Sequence, residues 1–550
     1  MKTKIVLLLI LLLALVLRTI RISSVPLGIR NDEAYIFVNG YTISQTGQDI
    51  YKTPFPLVFR PHSGITTTPV PIYLDAFMFK LFGYSIGTAK LPTILFSLLG
   101  IYVTFLFIRE LLKDERVALA ASFVLAVSPW YVYVSRTGFE AVIAYTAVMA
   151  GFYFLLLSIK KGVSPWPSIL CFIIASFSYK ATDVVLVGGT FVFGIFAYIL
   201  NKNRKISVLV FIATTILVLF VGWLHINVYK DTYSTGILYE QAKTVVDTVN
   251  AERQQSDAPF WLQQVMSNKV TVQAQAIENY YLNFFSLKGL FLPKGSQDDS
   301  YSLGISGLAY FFELFVIPFG IYTLLRKSKI TGGLMLSLLA IAPLPAVISS
   351  PIYPLRCLLG VYILAIFSGT GFVGIWDLVR RRHMLSKIVL MGIGVIYIYS
   401  ISIFLYQYFY RLPNLGYDVW QTYDMDAYTY VGKKAPNAGK VTVVGVGENE
   451  FLQYAFWNHL NARDVQNTIA SGSNGTMTYR NIQFIATCPD YSDKRFPKLQ
   501  PTDIVIARDG CYPAHKPKEQ IVYPRALKVY WNIFTYPPEF YTKPADTNVN

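Results

Sequence analysis

Two carboxylates stand side by side at Asp32 and Glu33, in the stretch GIRNDEAYIFVNG that follows the first long apolar run of the chain. A carboxylate there can take the proton of a hydroxyl, or it can stabilise the first turn of a helix, whose free N–H groups and dipole favour negative charge. Neighbours on a helix point about 100° apart, so the pair cannot serve one point together. One of them is the functional candidate and the other supports or positions it. Cations recur near the ends of apolar runs: Arg60 and His62 follow the acid pair in the same loop, and Arg136, Lys180 and Arg356 lie further along. At a low-dielectric boundary such groups bind a phosphodiester through charge-assisted hydrogen bonds, or they snorkel toward water. Glu140, one helical turn from Arg136, is its ion-pair partner or a weak substrate contact. No CxxC or His-rich spacing for a metal is present, and GVGENE (445 to 450) lacks the third glycine of a dinucleotide fingerprint, so neither metal nor cofactor is expected.

These residues must be positioned by elements in a membrane. With 53% hydrophobic residues, 15% charged and a mean hydropathy of +0.42, a chain of 550 residues is too apolar for a water-soluble globule. The net charge of +16 raises nucleic acid as a partner, but the basic residues fall in short clusters between apolar runs, which records topology and excludes a basic groove. Apolar runs near 5 to 22, 87 to 108, 117 to 135, 139 to 158, 166 to 179, 183 to 200, 206 to 225, 305 to 325, 331 to 349, 355 to 377 and 388 to 409 predict about eleven membrane helices, the one at 166 to 179 short or tilted. Lys2 and Lys4, RELLKDER (109 to 116), the lysines at 160 and 161, NKNRK (201 to 205), RKSK (326 to 329) and RRRHMLSK (380 to 387) occupy every second connection. The positive-inside rule then puts the N-terminus in the cytoplasm, on an uncleaved anchor, and the C-terminal domain outside a plasma membrane crossed many times.

That orientation collects the long polar segments on the outer face, where chemistry is expected. In the first outer loop (23 to 86), Ala34, Phe37, Val38 and Tyr41 repeat as one face of a short helix lying on the membrane. A second, proline-led helix carries the stripe Val70, Tyr73, Leu74, Phe77, Met78 and Leu81, too short to need to span. Together with a polar insertion at 226 to 304, this loop belongs to a membrane domain over 1 to 410. Residues 411 to 550 read as a soluble α/β domain: helices near 421 to 434 and 449 to 460, and strands at 440 to 446, 482 to 486 and 503 to 508. Cys488 and Cys511, both in this outer domain, form a possible disulfide.

NDEAY, the proline-led TTPVPIYLDAFMFKLFGYSIGTAKLPTILFSLLGIYVTFLFIREL and AVSPWYVYVSRTGFE resemble the GT-C fold glycosyltransferases that use polyprenyl-phosphate sugars, the superfamily of protein O-mannosyltransferases, aminoarabinose transferases and galacturonosyltransferases. The likeness covers roughly residues 5 to 225. It implies an inverting transfer of a sugar from a lipid-phosphate donor to a hydroxyl on a lipid, glycan or protein acceptor, with the acid of the first outer loop as base. That position matches Asp32, leaving Glu33 in support. Where the mannosyltransferases carry His-Pro-Pro and the aminoarabinose transferases Lys-Pro, this chain has Thr68, Pro69, Val70 and Pro71, which favours the galacturonosyltransferase-like branch. A polytopic transporter or flippase of a lipid-linked saccharide is the rival from another class; inverted repeats and mid-membrane charges, which it predicts, are not visible.

Overall fold

The computed structural model describes residues 2–62, 65–200, 237–293, 304–348, 353–380, 384–473, 475–488, 497–512, 515–523 and 528–540, with a few positions between 212 and 223. They pack as two compact units. One comprises Met1–Ile22, Gly64–Pro71 and Lys90–Phe409, the other Ser23–Ser63, Ile72–Ala89 and Tyr410–Asn550.

In the first unit, six described helices are long and apolar enough to cross a membrane; the first of them begins, and the last ends, a few residues beyond the unit's bounds. They are Ile86–Leu112, Ala141–Lys161, Thr182–Leu200, Lys329–Ile348, Leu359–Val379 and Leu390–Leu415. Trp166–Ser176 is apolar but shorter, as its sequence predicts. Helices Lys2–Thr19, Glu115–Val127 and Glu313–Lys327 fall where further spans are expected, and the run near 206 to 225 lies largely outside the described residues. The total of about eleven therefore stays an expectation. The continuous span expected over 117 to 135 is instead two helices, Glu115–Val127 and Pro129–Val134. Proline removes a backbone donor and turns the residue before it away from helical geometry. Ser128 accordingly takes ψ 129°, and its hydroxyl accepts the Tyr131 N–H to start the next helix. Between spans, the hydroxyls of Tyr131 and Thr146 both meet that of Tyr362, at 2.8 and 3.0 Å, which pairs polar groups that lipid could not satisfy.

The second unit joins most of the first loop to the C-terminal domain, a grouping different from the boundary expected at 410. Its six-stranded sheet runs in the order Thr476–Tyr479, Ile482–Ile485, Val441–Val444, Ile504–Arg508, Lys528–Thr535, Glu519–Tyr523. Val441–Val444 pairs in parallel with both neighbours and is buried throughout, as a central strand of valines should be. Helices Thr422–Lys434 and Glu448–Trp457 lie close to their predicted bounds. Cys488 and Cys511 are joined in a disulfide.

The core of this unit includes the first-loop helices. Phe37, Val38, Ile72 and Phe79 share one apolar cluster with Val431, Phe451, Phe456 and Trp531. The helix Asn31–Thr46 is buried on every side from Glu33 to Gly40, so it is a core helix and not the surface amphipath its periodicity suggests. In the proline-led helix Pro69–Phe82 the buried positions include Ile72, Asp75, Ala76 and Phe79, whereas Phe77 and Leu81 of the expected stripe are exposed. The two helices cross at Gly40, where a Cβ would stand 2.8 Å from the Asp75 Cβ and 3.0 Å from the Ile72 carbonyl. Only glycine permits that approach.

Candidate functional site

Each unit carries its own group of candidate residues. In the second, the acid pair opens the helix Asn31–Thr46. Glu33 is fully buried, and its Oε2 accepts the backbone N–H of Arg30 at 2.9 Å, the return bond of a capping box. Its charge is thereby engaged in starting the helix. Asp32 is only partly buried and lies one residue nearer the helix entrance. The two acids thus differ in burial, as their angular separation allows.

The helix start is held from the C-terminal part of the chain. Gln453 donates from Nε2 to Asn31 Oδ1 at 2.6 Å and to Gln421 Oε1 at 2.7 Å, and Gln421 Oε1 also accepts the Asn31 backbone N–H at 3.1 Å. Asn31 Nδ2 donates to Glu450 Oε1 at 3.3 Å. Gln421 adopts a left-handed backbone at φ 49°, a conformation that costs a non-glycine residue about 1–2 kcal/mol and is retained here where its side chain meets the acid-bearing helix. Gly28, just before the helix, approaches the Trp420 carbonyl so closely that a Cβ would lie 1.9 Å from its oxygen. The GVGENE stretch acts as a brace for this region. Glu450 accepts the Gly447 N–H at 3.0 Å and reaches Asn31, while Glu448 accepts the Tyr51 hydroxyl. Neither Gln421, Gln453 nor this use of Glu450 carries a local sequence signal.

Arg60 stacks its guanidinium 4.4 Å above the Tyr51 ring and is exposed. Asp49, beneath the same turn, accepts the Tyr51 and Thr53 N–H groups, and burial still raises its carboxyl above the ordinary range. The side chain of His62 lies outside what is described. Asp75 is a second buried acid that sequence reasoning missed. Burial, and then the charge of Glu33, hold its carboxyl well above the usual range.

In the first unit, Arg356, Lys180 and Glu140 come into one neighbourhood. The charges of Arg356 and Glu140 both act on the Tyr179 hydroxyl. Lys180 follows Tyr179 in the chain and places its charge beside Asp183. Tyr145 fixes the Arg356 backbone by donating its hydroxyl to the Arg356 carbonyl. Tyr179 could have been found from SYKATD, the short turn that also carries Lys180.

Arg136 plays a different part. Fully buried, it donates from Nη1 to Leu17 O at 2.9 Å and from Nη2 to Ile20 O at 2.8 Å, and it packs over Tyr408 and Phe409. Leu17 lies in the last turn of helix Lys2–Thr19 and Ile20 directly follows it, where the last carbonyls have no partners within the helix. Arg136 thus caps that end, and its expected place at a phosphate stays an expectation. Arg18, also fully buried, donates to Ala14 O and Ala126 O and lies 5.3 Å from the Tyr131 ring centre. No group of three or more metal-ligating side chains occurs among the described residues.

Three comparisons bear on this arrangement. Residues 66–226 match the family model described as dolichyl-phosphate-mannose-protein mannosyltransferase. Among curated proteins none matches. Among solved structures, the oligosaccharyltransferase AglB of Archaeoglobus fulgidus, in complex with an inhibitory peptide and a dolichol-phosphate, is similar at 13% identity and a TM-score of 0.52, covering 92% of this chain and 69% of that one. ArnT of Cupriavidus metallidurans, bound to undecaprenyl phosphate, is similar at 12% identity and a TM-score of 0.51, covering 96% and 97%. At such identities the likeness is one of fold: the chain has the GT-C fold of membrane glycosyltransferases.

Proposed function

We propose that the protein is an inverting glycosyltransferase that moves a sugar from a polyprenyl-phosphate donor to a hydroxyl acceptor on the extracytoplasmic face of the plasma membrane. The observation that carries this reading is the division of labour in the acid pair. Glu33 is fully buried and accepts the Arg30 N–H, and Asp32, more exposed and one residue nearer the helix entrance, is assigned as the carboxylate for proton transfer. The fold and the family match over 66–226 support the same class of donor.

In the proposed reaction the acceptor oxygen attacks C1 of the sugar while the bond from C1 to the phosphate oxygen breaks. Asp32 takes the hydroxyl proton, and the lipid phosphate departs as an anion already stable at neutral pH, so no general acid is required. A single displacement inverts the anomeric centre. Arg356 and Lys180 are assigned to the phosphate, where charge-assisted hydrogen bonds hold the donor and stabilise the leaving group. Arg60 and His62 are further candidates for that contact, and Glu140 orients Arg356 through their shared neighbour Tyr179. The C-terminal part of the chain supports the base.

The test incubates the purified protein in lipid with radiolabelled polyprenyl-phosphate sugars and acceptor-bearing membranes. Label transferred to an acceptor with inverted configuration, and free polyprenyl phosphate released, is the expected result. Intact lipid-linked sugar carried across liposomes without transfer would overturn it in favour of a transporter.

A further inference from the structure

The insertion between the spans Thr182–Leu200 and Lys329–Ile348 exposes large apolar side chains that a water-facing segment would hide. Its described helices are Ile237–Gln254, Phe260–Met266, Lys269–Phe285 and Leu287–Phe291. Phe260 is 69% exposed, Trp261 66% and Val270 74%, with Val265, Met266 and Ile277 also exposed. Scattered single apolar residues on a surface need no explanation, but six within eighteen positions form a patch.

The helix Lys269–Phe285 is two-faced. Val272 is buried against Val245 and Val249 of Ile237–Gln254. On the opposite side Val270, Ala274, Ile277 and Tyr281 follow one another at steps of four, three and four, the spacing of a single helical face. That face is exposed at Val270, Ala274 and Ile277. It is continuous with the surface of a membrane span: the Tyr281 hydroxyl donates to the Ala340 carbonyl at 3.0 Å, and Ala340 is an exposed residue of Lys329–Ile348. Near the end of the helix, Phe284 is buried beside Trp130 with ring centres 6.2 Å apart, so the helix is anchored among the spans and cannot swing freely.

We propose that Phe260–Tyr281 docks on the lipid bilayer, with Phe260, Trp261, Met266, Val270 and Ile277 seated at the boundary between headgroups and acyl chains. Ala340 is exposed on a helix long and apolar enough to cross a membrane, and the apolar face of Lys269–Phe285 extends that surface. Aromatic side chains of this type concentrate at the membrane interface. The exposed cations Lys269 and Lys288 are offset by the exposed acids Asp257 and Glu278, so docking rests on apolar burial and is insensitive to salt and to anionic lipid. The insertion is then a membrane-resting element, and an acceptor approaching from water does not meet this face.

The full chain in phosphatidylcholine vesicles, with single spin labels at Trp261→Cys, Val270→Cys, Ile277→Cys and Asn279→Cys, tests this by collision with oxygen and with a water-soluble nickel chelate. Labels at 261, 270 and 277 should meet oxygen more often than nickel, and the label at 279, on another side of the helix, the reverse. All four labels open to nickel would mean a water-facing surface and overturn the proposal. Low collision with both reagents at 261, 270 and 277 would mean protein cover, from a second copy or another partner, and would overturn it equally. A label-free check compares quenching by brominated phosphatidylcholine in the unmodified chain and in Trp261→Phe; equal quenched fractions would count against docking even if a cysteine variant failed to fold. Neither measurement depends on glycosyl transfer.

Discussion

The side-chain amide of Gln453 donates to Asn31 Oδ1 at 2.6 Å, tying a buried helix near the C-terminus to the residue directly before the proposed base. Gln453 also donates to Gln421, which receives the Asn31 backbone N–H, so one amide fixes both the side chain and the backbone of the helix start. Gln453→Leu keeps the volume and removes both donations. Taking a donor from two half-buried acceptors, Asn31 Oδ1 and Gln421 Oε1, destabilises by about 1 kcal/mol, so the melting temperature should fall. Turnover should fall roughly tenfold if about 1.4 kcal/mol of transition-state stabilisation is lost with the alignment of Asp32. A structural role alone would reduce the active fraction and leave kcat per folded molecule unchanged. A positioning role lowers kcat at constant donor KM and adds nothing further in an Asp32→Asn background, because both changes act through one group. Steady-state kinetics on the two single variants and the double variant decide between them.

Much of the C-terminal fold was legible because its elements carry their own periodicity. Val441–Val444, Ile482–Ile485 and Ile504–Arg508 are short apolar runs between turn residues, and each strand lies within its predicted range. The acid pair and its helix were legible for the same local reason. The partners of that helix were not. Asn31 and Gln453 are 422 positions apart, and no spacing or composition marks a pairing at that range. The helix also appeared amphipathic because four apolar residues fit one face, yet residues on its other faces, Tyr35 and Asn39 among them, are buried too. At Ser128 the break was signalled by Pro129, but an unbroken apolar run concealed it. Arg136 shows the limit from the other side: its type suggests an anion, and only the position of Leu17 and Ile20 reveals a helix end in need of donors.

Arg136 and Arg356 should separate stability from donor binding. Arg136→Ala takes the donors from the Leu17 carbonyl, on a buried residue, at about 1–3 kcal/mol, and from that of the half-exposed Ile20 at less, and Arg136→Lys cannot span both with one ammonium, so both variants should melt early. Arg356→Ala should keep its melting temperature and lose donor affinity by about 1.5–3 kcal/mol, the contribution of a charge-assisted hydrogen bond. Thermal unfolding in detergent, beside titration with a polyprenyl-phosphate sugar, reads the two effects. Unchanged donor affinity in folded Arg356→Ala would remove that residue from the phosphate.

Asp75 should make stability depend on pH in an unusual direction for a carboxylate. Its folded-state pKa is raised by burial and by the neighbouring charge of Glu33 above the value it has in the unfolded chain. The folded state therefore binds the proton more tightly, and this contribution is complete below the unfolded pKa and lost as pH rises through the folded one. Asp75→Asn keeps the shape and stays neutral at every pH. Its melting temperature should match that of the unmodified chain in acid and exceed it increasingly as the pH is raised. Parallel curves across the whole range would show that Asp75 does not titrate between the folded and unfolded states.

The acid pair supplies the decisive comparison, because its two members are predicted to fail differently. Glu33 accepts the Arg30 N–H, and glutamine offers the same carbonyl acceptor, which capping boxes use interchangeably with glutamate. Glu33→Gln should therefore keep both fold and turnover. Glu33→Ala loses the acceptor and should cost about 0.5–2 kcal/mol of stability. Asp32→Asn is isosteric and leaves the capping bond of Glu33 in place, so its melting curve should be unchanged. The amide cannot take the acceptor proton, and turnover should fall by about 10²- to 10⁴-fold, the usual share of a general base. The loss should appear in kcat, with donor binding retained, since no contact to the lipid phosphate is assigned to Asp32. Single-turnover transfer measured beside thermal unfolding for all three variants keeps the two properties apart. An inactive but stable Glu33→Gln beside an active Asp32→Asn would exchange the roles of the two acids. Full activity in both would reduce the pair to a helix start, and with it the proposed proton transfer would fall.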